Sequence, residues 1–113
     1  MKRGDVWTVA GGPDYTGKPR PTVVIQDDAF DATASVTICP FTTLAIDAPL
    51  MRLTIEPSLQ NGLRAASQLM IDKITTVSKS RLERHIGRLS AEDIVRLNRA
   101  VLVFLGLAGP VAR

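Results

Sequence analysis

Turn-forming residues recur so often in the first two thirds of this chain that no long helix fits there. Gly11-Gly12-Pro13, Gly17, Pro19, Pro21, Pro40, Pro49, Pro57 and Asn61-Gly62 divide it into short runs, and runs of roughly four to eight residues are strand-sized. Residues 6–10 predict a first strand ending at the Gly-Gly-Pro signal, and residues 14–19 a loop. Pro21-Thr22-Val23-Val24-Ile25-Gln26 is β-branched and apolar in both phases, which predicts a central strand covered on both faces. Residues 35–41 repeat the pattern, and Pro40 inside them predicts a bulge or the start of an edge, because proline has no N–H to donate. Residues 50–55 alternate polar and apolar. Asn61-Gly62 predicts a tight or hairpin turn, residues 65–71 the strand returning from it, and residues 74–77 another extended piece.

The last third reads differently. Ser78 predicts the cap of a short helix through Arg84, with Leu82 inward and Gly87 near its exit. Ser90, followed three residues on by Asp93, predicts a second cap. Ile94, Leu97, Val101, Phe104, Leu105 and Ala108 follow at three- and four-residue spacing, an apolar stripe to pack on the sheet. Val95 and Leu102 lie off that stripe and point to a subunit interface. Strands followed by helices give a mainly β, α+β chain built on a small barrel or sandwich.

With 113 residues, the chain is expected to be one domain over 1–113, since halves would bury too little core. A net charge of +3 favours a polyanionic partner. Cys39 is the lone cysteine, so no internal disulfide forms and a cytoplasmic location is expected. The N-terminal apolar stretch is too short for a signal peptide, and residues 100–112 are too interrupted by glycine and proline to span a bilayer. With one cysteine, one histidine and no spaced ligand cluster, neither a metal site nor a cofactor is expected.

Lys2-Arg-Gly-Asp-Val-Trp7, then Gly17-Lys-Pro-Arg-Pro-Thr-Val-Val-Ile-Gln-Asp-Asp28, then Gln60-Asn-Gly-Leu63, Ser67-Gln-Leu-Met-Ile-Asp-Lys-Ile-Thr-Thr-Val77, Arg81-Leu82 and Ile86-Gly-Arg-Leu89 run through nearly the whole chain. In order and spacing this set resembles the MazF/PemK (Kid) family of endoribonuclease toxins. The resemblance implies a twisted SH3-like or CcdB-like barrel with a C-terminal helix, a homodimer, a single-stranded RNA substrate cut without metal, and a cognate antitoxin. The family's catalytic arginine precedes a proline, and Arg20 before Pro21 matches it. Thr42 matches the assisting threonine at the end of the third strand, with Thr43 one register away. Asp72 stands where some members use an acidic residue. RNA contacts are expected from Tyr15, Lys18, Thr43, Ser67 and Lys73. Two departures stand out: the loop before Arg20 is shorter than in many members, and Thr75 replaces a frequent arginine.

The chemistry fits these side chains. If the RNA 2′-hydroxyl attacks its own phosphodiester, the products are a 2′,3′-cyclic phosphate and a 5′-hydroxyl. The site must then stabilise a phosphorane and move two protons. Arg20 suits the first task, because its planar guanidinium pairs with phosphate oxygens and stays charged; Thr42 adds a hydroxyl. Neither proton transfer has an evident owner. Structural readings compete: Arg20 as a surface partner of Asp27 or Asp28, Thr42 as a turn residue, Asp72 as an ion-paired carboxylate, and His85 as a solvent-facing helix-end residue. Lys73, Lys79, Arg81, Arg84 and Arg88 suit either an RNA path or a solvated helix face. Trp7 and Phe41 are expected in the core, which leaves Tyr15 for base stacking. The rival function is a CcdB-like toxin that poisons a protein such as a topoisomerase and cleaves nothing.

Overall fold

A computed structural model describes residues 1–10 and 18–109. The expectations for residues 11–17, Tyr15 among them, lie outside that range. Seven strands follow in order: β1 Asp5–Val9, β2 Arg20–Val24, β3 Ser35–Thr42, β4 Arg52–Ile55, β5 Ser67–Met70, β6 Thr75–Ser78 and β7 Leu82–Arg88. Among the described residues one α-helix, α1 Ala91–Phe104, follows them. Neighbouring strands run β4-β5-β3-β2-β1-β7, all antiparallel, and β6 also pairs with β3.

The sheet bends because β3 changes partner along one edge. Residues 35–38 pair with β6, whereas Phe41 and Thr42 pair with β5. Cys39 and Pro40 fall in the gap, so proline occupies a place where its missing donor is tolerated. The bend encloses a core of Val6, Val23, Cys39, Phe41, Ile55, Leu63, Leu69, Ile71, Leu89 and Leu97. Val24, Val36 and Ile38 point the other way and are covered by Trp7, Val9, Val77 and Leu82. Strand β2 is therefore buried on both faces, as its composition predicts, although the strand begins at Arg20. Phe41 is a core residue, while Trp7 is only half-buried.

The Asn61-Gly62 pair does not make a two-residue hairpin. It sits midway along the connection 56–66 between the paired strands β4 and β5. Asn61 is buried, and its Oδ1 accepts from the Ser58 and Leu63 amides while Nδ2 donates to the Glu56 carbonyl. Gly62 adopts φ +72°, and a side chain there would overlap the Ile86 carbonyl; one at Gly87 would overlap Asn61. This loop thus locks against β7 by backbone contact that only glycine permits.

No helix forms over residues 78–84. Ser78 makes no capping bond, Lys79–Arg81 is a single 3-10 turn, and β7 follows directly. The edge of β1 supplies the reason: it would otherwise carry unpaired backbone groups, and β7 satisfies them. Two register shifts in that pairing, at Val6/Trp7 and Thr8/Val9, break strict alternation, so the segment lacks a period-two pattern. Consequently Gly87 and His85 are strand residues.

The α1 cap is as its local sequence predicts: Ser90 Oγ accepts from the Asp93 amide at 3.1 Å. Leu97 is buried, and Ile94, Ala100 and Val101 pack beside it, while Arg96 donates to the Thr54 carbonyl on β4 at 3.0 Å. The expected stripe stops short, however. Phe104 and Leu105 are 46% and 57% exposed, alongside Val95, Leu102, Val103 and Leu107, because the helix ends at Phe104 and runs past the sheet. Among the described residues no helix is long and apolar enough to cross a membrane.

Candidate active site

On β2, Arg20, Thr22 and Val24 share one face by strand alternation. It is the face opposite the main core, where Val24 packs with Ile38. Thr22 pairs with Pro40 and Val23 with Cys39, so continuing this register by two residues sets Arg20 opposite Thr42. Side chains directly opposite in an antiparallel pair lie on the same face within contact range. On its other side Arg20 pairs with Val9. Beneath them Thr22 is buried, and its hydroxyl donates to the Cys39 carbonyl at 2.9 Å, tying β2 to β3.

A cleft of about 390 Å³ opens here, lined in part by Arg20, Thr42, Lys73, Thr75 and Arg81, with Val9, Ile38 and Val77 as apolar wall. Among the described residues that line it, Arg20, Lys73 and Arg81 are cationic. Such a surface suits a phosphodiester, which needs donors and positive charge close by. Thr42 marks the end of β3, and its Oγ1 accepts from the Leu44 amide at 3.1 Å. That bond makes it a turn residue, yet it leaves the hydroxyl proton to donate into the cleft.

The remaining sequence candidates divide. Lys18, Thr43 and Ser67 line a second, larger cleft of about 820 Å³ with Arg64, Glu83, Arg84 and His85; Pro21 borders both clefts. Ser67 is nearly buried, and its hydroxyl donates to the Ala65 carbonyl. Asp72 lines neither cleft. Arg52 donates to it through Nε and Nη2 at 2.9 and 3.1 Å, with side-chain exposures of 11% and 22%. This bidentate bond holds the Asp72 carboxyl below the usual range against the opposing effect of partial burial.

Asp27 caps the next turn through the Ala29 amide, and Asp28 accepts from the Arg3 amide; both follow the far end of β2 from Arg20. His85 lies in β7, tilted against Trp7 at 5.3 Å between ring centroids and 3.6 Å from Asp5. Of the late basic residues, Lys73 and Arg81 reach the first cleft and Arg84 the second. Lys79 instead pairs with Asp31, and Arg88 with Asp5. Arg64 and Glu83, absent from the sequence candidates, join a site only through the fold. Burial, followed by the nearby Asp72 charge, pushes the Cys39 thiol up to about 12, so it is protonated and enclosed. Among the described residues no group of three or more His, Cys, Asp or Glu side chains gathers as a metal site would require.

A small bent antiparallel sheet with a C-terminal helix and a cleft lined in part by Arg20, Lys73 and Arg81 defines a mainly β protein with a cationic surface. Its relatives narrow that class. Residues 2–105 match the family described as PemK-like, MazF-like toxins of type II toxin–antitoxin systems. The chain is 60% identical over 109 residues to a probable endoribonuclease MazF of Mycolicibacterium smegmatis, covering 96% of this chain and 100% of that one. It is 28% identical over 116 residues to endoribonuclease MazF9 of Mycobacterium tuberculosis, covering 95% and 98%. A solved endoribonuclease in complex with its cognate antitoxin, from a mycobacterial species, shares the fold with TM-score 0.80 at 24% identity, over 97% of this chain and 99% of that one. A MazE-MazF structure from Deinococcus radiodurans shares it at 0.77 and 21%, over 95% and 97%. The chain belongs to the PemK-like, MazF-like toxin family.

Proposed function

We propose that this chain is an endoribonuclease toxin that cuts single-stranded RNA in the Arg20 cleft and is neutralised by a cognate antitoxin. The observation that best supports the reading is that Arg20 and Thr42 line one cleft together with Lys73 and Arg81. Attack by the RNA 2′-hydroxyl generates a phosphorane, and Arg20 lowers its energy through charge-assisted hydrogen bonds to the non-bridging oxygens. Thr42 donates a further bond. The products are a 2′,3′-cyclic phosphate and a 5′-hydroxyl, and the reaction needs no metal ion. Asp72, held by Arg52, acts on this site through the turn it shares with Lys73. Lys18, Thr43 and Ser67, with Tyr15 from the preceding segment, bind RNA beyond the scissile phosphate. The endoribonuclease relatives favour this reading over a topoisomerase poison. Exposed apolar residues at the end of α1 support a homodimer that covers them.

The test is purified protein with a long single-stranded RNA in EDTA, followed by mapping of 5′ ends. Discrete cuts carrying 5′-hydroxyls, absent with Arg20→Ala, are expected. No cuts, or cuts equally made by Arg20→Ala, would sink the assignment.

A further inference from the structure

The cleft contains a second arginine that the chemistry above leaves without a task. Arg81 ends the 3-10 turn before β7 and reaches the same cleft as Arg20 from the far side of β1. Val9 pairs with Arg20 on one side and with Leu82 on the other. Two strand spacings, roughly 10 Å, therefore separate the backbones that bear the two guanidinium groups. That span suits neighbouring phosphates of one RNA strand.

Arg81 is also held in place. Its Nη2 donates to the Ala10 carbonyl at 2.9 Å, and the Ala10 amide donates to the Arg81 carbonyl at 2.9 Å. A guanidinium has five donors in a fixed plane, so a bond through one edge orients the rest. Arg81 is half-buried, whereas Lys73 in the same cleft is exposed. Part of the ordering cost of Arg81 is thus met on folding rather than on binding.

We infer that Arg81 is a phosphate-positioning residue, binding the phosphate next to the scissile one and so setting which RNA bond lies at Arg20. The inference rests on the proposed nuclease reading. Binding without bond-making predicts an effect on KM rather than kcat. Arg81→Ala should raise KM about tenfold and leave kcat within about twofold. It should also flatten the dependence of log kcat/KM on log salt by about 0.7, the value of one neutralised phosphate on a single strand. Arg81→Lys keeps the charge and should keep most of that slope.

The decisive experiment uses an RNA oligonucleotide spanning a cut site mapped with the wild type, with flanking phosphates replaced one at a time by neutral methylphosphonates. One replacement should raise the wild-type KM about tenfold and have little further effect in Arg81→Ala. Additive effects at every position, or an unchanged salt slope with a lowered melting temperature, would show that Arg81 only braces β1. Absence of cleavage by the wild type would instead defeat the nuclease reading itself, so the two failures are distinguishable.

Discussion

Two sides of the 3-10 turn Ile71–Lys73 treat charge in opposite ways. Asp72 faces Arg52 in a bidentate pair that is mostly withdrawn from solvent. Lys73, the next residue, contributes to a cleft whose other charged members are Arg20 and Arg81. In the first region opposite charges meet, and the benefit appears as stability. In the second, among the described residues, the like charges of Arg20, Lys73 and Arg81 gather at one cleft, where a bound polyanion would relieve their mutual repulsion. The difference separates a pair that braces the fold from a cationic surface suited to a polyanion.

The comparison breaks most visibly at Arg20. Arg20→Ala should lose roughly 100- to 1000-fold in kcat, the usual scale for removing a group that stabilises developing charge, with its melting temperature shifted by only a few degrees. Asp72→Asn, assayed in parallel, should lose far less activity. If it were as inactive as Arg20→Ala while equally stable, Asp72 would belong with the reacting groups rather than the brace.

Arg52→Ala should do the reverse and lower stability by about 1–3 kcal/mol in urea titration, between the values for exposed and buried pairs. Its kcat should remain within about threefold. A silent Arg52→Ala in both assays would mean that the pair is ornamental.

Acid sharpens the same contrast. The hydrogen bond from Arg52 keeps the Asp72 pKa below that of the unfolded chain. The pair therefore contributes stability that is complete above the ordinary carboxylate value of about 3.9 and fades as pH falls through the folded value. The stability gap between wild type and Asp72→Asn should be constant from pH 7 to about 5 and close below about 4. A gap independent of pH down to 2 would refute the linkage.

The smallest effect belongs to Cys39. With its thiol pushed up to about 12 behind the cleft floor, Cys39→Ala should cut RNA at the wild-type rate and cost about 1 kcal/mol of packing. Thiol reagents should modify the native protein only after unfolding.

What could be read in advance followed the range of the interactions involved. Ser90 and Asp93 cap α1 within one turn, so the helix start was legible from a few adjacent residues. The composition of β2 exposed its two-sided burial, and Pro40 foretold an interruption in the β3 ladder. Arg20 and Thr42 were found by resemblance, not by any local pattern. Residues 78–84 read locally as a capped helix, whereas the strand that forms from Leu82 depends on β1, which lies far away in sequence, through a pairing that slips twice. A helical stripe was likewise extended to Phe104 and Leu105, since periodicity does not say where the supporting sheet ends.

Sequence by itself determined the strand-sized segmentation, the capped final helix and the presence of a basic excess, because each depends on neighbours a few residues apart. Only the tertiary structure decided that Asp72 meets Arg52, that Gly62 and Gly87 sit against opposing backbone, and that Arg81 shares a cleft with Arg20. Those pairings arise from strand order and register, which join distant segments and leave no trace in local spacing.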